Sequence, residues 1–114
     1  MTLSTHVLDA ALGRPAAGVP VTLSRRDGAG WVPAGGGVTD SDGRLRPTGE
    51  DGGDVALPAG VYRLDFDTAA YFADTGQTGF YPLVSVMFEV TDPDSHHHVP
   101  LLLSPFAYST YRGS

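Results

Sequence analysis

The segment DVALPAGVYRLDFD, residues 54–67, decides the fold that this sequence predicts. Its large apolar residues Tyr62, Leu64 and Phe66 occupy every second position. A period of two residues is typical of a β-strand with one face in a core. The segment YPLVSVMFEVTDP, residues 81–93, alternates in the same way and stops at an Asp-Pro pair. Two strands of this kind predict a sheet that packs against a second layer.

The rest of the chain reads as further short strands separated by turns. Fifteen glycines and nine prolines interrupt it, and helical periodicity is almost absent. Residues 4–10 and 18–26 read as strands because they are rich in β-branched residues. Residues 30–34 read as a strand that ends at a proline. The last two strands are expected at residues 96–104 and 106–112, divided by Pro105.

A single short helix is predicted at residues 67–76, with Asp67 as its N-cap and Gly76 at its end. An Asp-Gly turn before Arg44 is expected to deliver that arginine to the start of a strand. Seven or eight short strands with one short helix favour an all-β protein, an antiparallel β-sandwich. The edge strands of such a sandwich favour pairing with a second chain.

Composition sets limits on the partners of the chain. Its 114 residues predict one domain, spanning residues 1–114. The net charge of −6 argues against nucleic acid and against an anionic membrane surface. No apolar run approaches the roughly 20 residues of a membrane-spanning helix. No cysteine is present, and the first residues lack the pattern of a signal peptide, so we expect a cytoplasmic protein.

The histidines near the end of the chain divide between two faces of their strand. Alternation places His98 on one face with Pro100 and Leu102, and places His97 on the other face with the core. The apolar stripe beside His98 therefore points away from the core. An outward apolar stripe beside a histidine predicts a contact surface or a pocket.

Simpler interpretations of the same residues stay open at this point. A run of histidines is often just a solvated polar stretch. His96 and His98, roughly 7 Å apart along a strand, are spaced for zinc, but no cysteine or His-x-x-x-His pattern supports a metal site. Arg44 can equally lie in solvent after its turn. Ser104 and Ser114 lack the Gly-x-Ser-x-Gly context of a serine nucleophile.

Four separated motifs, in the right order, carry a resemblance that covers nearly the whole chain. They are LSTHVLDAALGRPAAGVPVTL, TDSDGR, HVPLLLSP and the terminal YSTYRGS. The chain resembles the transthyretin-related 5-hydroxyisourate hydrolases, which are built on the transthyretin (prealbumin-like) fold. The terminal YRGS is the most diagnostic motif, since it separates these hydrolases from transthyretin itself.

The resemblance implies a homotetramer, a dimer of dimers, with active sites in a channel between the dimers. It implies a catalytic set that needs neither metal nor organic cofactor: His6, Arg44, His98 and Ser114. The expected substrate-binding residues are Tyr111, Pro100, Leu102, Ser109, Arg112 and Gly113. Tyr111 is expected to close the channel, so that the chain end forms the floor of each site.

The implied reaction is hydrolysis of the N1–C6 bond of 5-hydroxyisourate, a step of urate degradation, giving 2-oxo-4-hydroxy-4-carboxy-5-ureidoimidazoline. His6 and His98 are expected to activate the water and to protonate the leaving nitrogen, and neither role is assigned to one histidine rather than the other. Arg44 is expected to hold the substrate and stabilise the developing negative charge. Ser114, with the terminal carboxylate, is expected to supply hydrogen bonds.

Two other classes of protein are alternatives. A transthyretin-like ligand carrier would need a small residue in place of Tyr111 and has no use for the histidines and arginine. A structural or adhesion sandwich gives no reason for the terminal YRGS. One departure from the family is His97, at a position that is commonly aromatic; we expect it to affect packing more than chemistry.

Overall fold

The computed structural model describes residues 2–114. Its strands are β1 Leu3–Asp9, β2 Arg14–Pro15, β3 Pro20–Asp27, β4 Gly30–Val38, β5 Arg44–Leu45, β6 Gly60–Phe66, β7 Val84–Val90, β8 His97–Ser104 and β9 Ala107–Thr110. One helix, α1 Thr68–Asp74, lies between β6 and β7. No helix within the described residues is both long enough and apolar enough to cross a membrane.

The strands form two sheets, which confirms the predicted sandwich. One sheet has the order β2-β1-β8-β9, with β5 also paired to β1, and the other has the order β4-β3-β6-β7. The pairing of β1 with β8 is parallel, whereas the sequence predicted antiparallel strands throughout. These two strands are joined through the whole of the second sheet, so no tight hairpin forces them to run in opposite directions.

The core lies between the sheets and follows the predicted alternation. In β6 the residues Tyr62, Leu64 and Phe66 are fully buried. In β8 the inward residues include His97 and Leu101, with 6% and 0% of their surfaces exposed, which confirms the predicted orientation of the strand. Because side chains alternate, the opposite face of β8 is left for function.

Strand β4 is longer than the sequence predicted. It continues to Val38 instead of ending near Pro33, and its register against β3 shifts beside Leu23 and Ser24. The shift leaves Ala34 as an extra residue, which is the mark of a β-bulge. Because β4 is an edge strand, a proline costs it no hydrogen bond of the ladder on its free side.

A buried carboxylate ties the end of β1 to the helix. Asp9 is 1% exposed and accepts hydrogen bonds from the hydroxyl of Tyr71 at 2.6 Å and from the side chain of Gln77 at 3.1 Å. The backbone N–H groups of Ala11 and Leu12 donate to its other oxygen. Burial alone would raise the pKa of Asp9, but these hydrogen bonds together hold it below its usual value of 3.8.

The predicted helix is confirmed. The carboxylate of Asp67 accepts a hydrogen bond from Ala70 N at 3.1 Å, and Gly76 follows the last turn with a φ of +66°. At the other end of the chain, β9 is shorter than predicted, ending at Thr110 instead of Arg112. The chain returns to β8 beyond it, where Gly113 forms a single antiparallel bridge with His98.

Candidate active site

Three neighbouring strands bring the predicted site residues onto one face. Strand β1 lies between β5 and β8, and its His6 pairs with Arg44 of β5. On the other side of β1, Ser4 pairs with His98 of β8. Strand spacing and rise then place His6 and His98 about 8 Å apart at their Cα atoms. This face points away from the core.

A glycine turn sets the position of Arg44. The carboxylate of Asp40 accepts hydrogen bonds at 2.9 Å from the backbone N–H groups of Asp42 and Arg44. Between them Gly43 has a φ of +74°, and a Cβ there would lie 2.3 Å from the carbonyl oxygen of Val7. Only glycine fits this close approach to β1. The predicted Asp-Gly turn is confirmed, and it delivers Arg44 opposite His6.

The same turn fixes the ring of His6. Its Nε2 lies 2.9 Å from the carbonyl oxygen of Asp42. A carbonyl oxygen can only accept, so Nε2 carries the proton and donates it. In the neutral ring Nδ1 is then the nitrogen that keeps a lone pair, and it is the one that can accept a proton from water.

The ring of His98 is held by a side chain of β1. Its Nδ1 lies 2.7 Å from the hydroxyl oxygen of Ser4, and its side chain is only partly exposed. Burial lowers the pKa of His98 below its usual 6.5, and the charges of His96, Arg44 and His6 lower it further, while a hydrogen bond with the backbone of Ser4 acts in the opposite direction. The ring is therefore neutral near pH 7, as a general base must be.

The chain end packs directly against His98. Gly113 N donates to the carbonyl oxygen of His98 at 2.9 Å. A Cβ on Gly113 would lie 2.4 Å from Cδ2 of the His98 ring, far inside any normal contact. The absence of a side chain at this position is what allows the approach. Ser114, the residue after it, is exposed beside this contact.

The predicted substrate-binding residues differ in how far they are exposed to solvent. Ser109 is exposed and pairs with the half-buried Leu102, so both lie on the outer face. Pro100 is buried, although it lies on the same face of β8 as His98 and Leu102, which are partly exposed. Tyr111 is 57% exposed. Arg112 is exposed.

The two remaining histidines have different environments. His96 is exposed, and its ring stacks near that of His98 with centroids 6.4 Å apart. His97 points into the core, and its buried Nδ1 has no hydrogen-bond partner among residues 2–114. Within those residues, no group of three or more histidine or acidic side chains is arranged to hold a metal ion.

Two cavities border the site, and neither includes His6. One, of about 350 Å³, lies at the open edge between the sheets and is lined in part by His98, Tyr111 and Met87. The other, an open depression of about 560 Å³, is lined in part by Ser4, Arg44 and His96. The face that carries the histidines therefore has no enclosing wall within the described part of the chain.

Two contributors to this site were missed in the sequence. Ser4 lies two residues before His6, so strand alternation alone places it on the same face. The carbonyl oxygen of Asp42 leaves no signal in the sequence, since any residue carries one. The close approach of Gly113 to His98 depends on how the chain end returns to β8, which local patterns do not specify.

Taken together, a two-sheet sandwich with a short helix and a histidine-arginine site on an outer sheet face defines a transthyretin-like protein. The family comparison agrees, with a match to the HIUase/Transthyretin family over residues 3–113. The chain belongs to this family. The resemblance drawn from its four motifs is thereby confirmed.

Both 5-hydroxyisourate hydrolases and a transthyretin of this family are similar to the chain. A 5-hydroxyisourate hydrolase of Caulobacter vibrioides is 47% identical, over 98% of this chain and 97% of its own. The structure of Klebsiella pneumoniae 5-hydroxyisourate hydrolase is 38% identical, with a TM-score of 0.83 over 99% of this chain and 98% of that chain. Sea bream transthyretin in complex with thyroxine is 37% identical, with a TM-score of 0.87 over 99% and 95%.

Proposed function

We propose that this protein is a 5-hydroxyisourate hydrolase that acts in urate degradation. Relatives named for this activity align along nearly their whole length. The observation that carries the proposal is the pairing of His6 with Arg44 on one side of β1 and of Ser4 with His98 on the other. A carrier of hydrophobic ligands gains nothing from two imidazoles and a guanidinium in this arrangement.

The proposed reaction begins with attack of water on C6 of the substrate. Either Nδ1 of His6 or Nε2 of His98 takes the proton from the water, because these are the ring nitrogens without a hydrogen bond to the described residues. The N1–C6 bond then breaks, and a histidine returns the proton to N1. One water is consumed and the ring opens, giving 2-oxo-4-hydroxy-4-carboxy-5-ureidoimidazoline.

Arg44 and the chain end hold the substrate in this proposal. The guanidinium of Arg44 stabilises the negative charge that develops on the C6 oxygen as water attacks. Ser114 donates and accepts hydrogen bonds from its exposed position beside Gly113 and His98. Tyr111 forms the floor of the site.

The remaining proposed substrate contacts have smaller roles. The apolar surface of Leu102 and the polar edge of Ser109 border the substrate on the same face. Pro100 supports this wall from its buried position. Arg112 and Gly113 belong to the proposed binding set, and we assign to Gly113 the positioning of His98. The proposed mechanism needs no metal or organic cofactor.

We propose that the working form is a homotetramer, a dimer of dimers. The face that carries His6 and His98 is open to solvent. Hydrolysis at an active site benefits from excluding bulk water. The outer edges of β7 and β9 lack partner strands within the described residues. Exposed aromatic side chains, Phe80 and Phe106, are 69% and 70% accessible. A second pair of chains would cover these surfaces and close each site.

Light scattering on the size-exclusion peak tests the assembly. The expected mass is four times that of the 11.9 kDa chain. A monomeric protein with full activity would contradict the proposed site between subunits.

The proposed location is the cytoplasm, since a chain without cysteine suits a reducing compartment. Fractionation of the source cells tests this location.

The activity itself is tested with the unstable substrate made in place. Uricase oxidises urate to 5-hydroxyisourate in a cuvette, and the ultraviolet decay of that intermediate is followed with and without the protein. We expect micromolar protein to accelerate the decay strongly. A decay that is unchanged by the protein would refute the proposed function.

The carrier function is the second candidate, because the thyroxine complex of sea bream transthyretin has a closely similar backbone. Calorimetric titration with thyroxine separates the two candidates. A carrier binds the ligand and leaves the decay of 5-hydroxyisourate unchanged. The hydrolase accelerates the decay and, with Tyr111 closing the channel, has no room for so long a ligand.

A further inference from the structure

A chain of hydrogen bonds extends from His98 to the surface. The hydroxyl oxygen of Ser4 lies 2.7 Å from Nδ1 of His98 and 3.0 Å from Nε2 of His96. The other ring nitrogen of His96 is hydrogen-bonded to the hydroxyl of Thr2. The two imidazole planes are within 18° of parallel. One hydroxyl thus joins a half-buried imidazole to an exposed one.

The register of β1 explains why Ser4 takes this position. Ser4 is the direct partner of His98 in the parallel pair of β1 and β8, and both side chains lie on the outer face. His96 precedes His98 by two residues, so its ring lies on the same side. A serine hydroxyl has one proton to donate and lone pairs to accept, which lets it connect two ring nitrogens at once.

We propose that Ser4 is a positioning residue that links His98 to His96 in a proton relay. The inference rests on the proposed hydrolase function only for its role in turnover. Ser4 fixes which nitrogen of His98 faces the substrate, and it gives the positive charge formed during catalysis a route to the exposed imidazole. His96 is then the outer member of the relay and does not touch the substrate.

The proton transfers in the relay neither gain nor lose a proton overall. Before attack, His98 donates from Nδ1 to Ser4, and Ser4 donates to Nε2 of His96, which leaves Nε2 of His98 free. When Nε2 takes the proton of the attacking water, the Nδ1 proton passes to Ser4 and the Ser4 proton passes to His96. His96 is now the imidazolium. His98 is neutral, with its proton on Nε2, ready to protonate the leaving nitrogen as the relay resets.

The charges around His98 favour moving the proton outward. His6 on β1 and Arg44 on β5 both act on His98 and oppose a positive charge on its ring. Arg112 and Tyr111 of the chain end line the cavity that His98 also borders. An imidazolium at the exposed position of His96 is solvated by water, whereas one at His98 is partly desolvated.

Four proteins test the relay: the parent, Ser4→Ala, Ser4→Thr and His96→Ala. We expect Ser4→Ala to lower kcat roughly 10-fold with KM changed less than threefold, below the 100-fold or greater loss expected for a general base itself. Ser4→Thr keeps the hydroxyl and suits a strand, so it should restore kcat to within about threefold of the parent. Ser24→Ala, on the other sheet, is the matched control.

The pH profile of kcat/KM adds a signature that a structural role would not produce. The charge of His96 lowers the pKa of His98, so His96→Ala should move the acidic limb to higher pH. The part of Ser4 that raises this pKa is its backbone, which Ser4→Ala keeps, so Ser4→Ala should lower kcat with little movement of the limb. A shifted limb in His96→Ala, together with recovery of kcat in Ser4→Thr, supports the relay. An unshifted limb in His96→Ala, or a Ser4→Thr protein as slow as Ser4→Ala, overturns it.

Nitrogen NMR of the histidine rings, without substrate, separates this inference from the proposed function. In the parent, Nδ1 of His98 and Nε2 of His96 should have the nitrogen chemical shifts of hydrogen-bonded ring atoms, and in Ser4→Ala both shifts should move. If the parent is inactive yet these shifts move in Ser4→Ala, the proposed function fails and the link stands. If the parent is active and the shifts are the same in Ser4→Ala, the link fails alone.

Discussion

Gly113→Ala should nearly abolish hydrolysis without unfolding the protein. The Cβ of an alanine would lie 2.4 Å from Cδ2 of His98, whereas ordinary contacts begin at 3.4 Å. The overlap is 3.4 − 2.4 = 1.0 Å, so either the ring of His98 or the chain end must move by about that distance. A displacement near 1 Å in an active site costs on the order of 100-fold in rate. We expect a loss of that size in kcat.

The fold should tolerate the same change. Gly113 lies at the end of the chain, after the last strand, and its φ is outside the left-handed region. The buried residues of β8 do not depend on it. Thermal unfolding followed by circular dichroism should therefore give a midpoint within about 2 °C of the parent, because no core contact is lost.

The activity test compares three proteins. Decay of freshly generated 5-hydroxyisourate is followed for the parent, for Gly113→Ala and for Gly30→Ala. A Cβ on Gly30 would meet its nearest neighbour, the carbonyl oxygen of Asp27, at 3.8 Å, so this control carries the same substitution without overlap. A folded Gly113→Ala protein of parental size that works within threefold of the parent would refute the positioning role of the chain end.

Four other changes test separate parts of the site and fold. His6→Ala should lower turnover by roughly 100-fold to 10,000-fold in the decay assay if His6 transfers protons, and an effect below threefold would remove it from the mechanism. Arg44→Lys should lose most activity in the same assay, because a point charge cannot replace a planar fork of donors. His97→Phe should leave activity nearly unchanged and raise the free energy of unfolding in urea by about 1 kcal/mol, since it removes a buried nitrogen without a partner. Asp9→Asn should lower that free energy by about 1 to 3 kcal/mol at pH 7, because an amide group cannot accept all the hydrogen bonds of the carboxylate. The pKa of Asp9 is lower in the folded protein than in the unfolded chain. The stability that its carboxylate contributes is therefore fully present above the unfolded pKa near 3.8 and is lost as pH falls through the folded pKa. In strongly acidic buffer, the free energies of unfolding of parent and variant in urea should converge.

The fold was predictable where side-chain period alone sets the structure. Alternation placed Tyr62 and its neighbours of β6 in the core, and it placed His97 inward and His98 outward on β8. The helix cap at Asp67 was equally readable, because capping depends on one residue and the next turn. These features are local, so a single segment contains all the information they need.

The features that were missed depend on residues far apart in the chain. The parallel direction of β1 and β8 follows from the route of the connection between them, which no segment of either strand contains. Strand β4 passes Pro33 because it is an edge strand with a bulge, a property of its neighbours in the sheet. Pro100 is buried although it lies on the outer face of β8 with His98 and Leu102, and the alternation of one strand does not indicate this burial.

The sequence named a set of candidate site residues, which stays a prediction, but it did not indicate how they are held. The motifs supplied His6, Arg44 and His98, and the structure adds how they are held. His6 is oriented by a backbone carbonyl, and His98 by a hydroxyl and a bare Cα. Backbone atoms and missing side chains carry no residue-type signal, so sequence patterns cannot reveal such restraints.

Backbone similarity alone cannot separate a hydrolase from a carrier in this family. The chain is as similar to a thyroxine-bound transthyretin, with a TM-score of 0.87, as to a hydrolase, with a TM-score of 0.83. We therefore look for the difference in side chains on the outer face of β1, β5 and β8. In the proposed mechanism, the two imidazoles and the guanidinium on this face supply a base, an acid and a cation, which hydrolysis requires and passive binding does not. Both imidazoles are held by neighbours that have no role in the core: Ser4 and Gly113 for His98, and the Asp42 carbonyl for His6. Restraints that contribute to orientation and little to stability are expected where a fold is adapted to catalysis, so the two functions should separate on these positions.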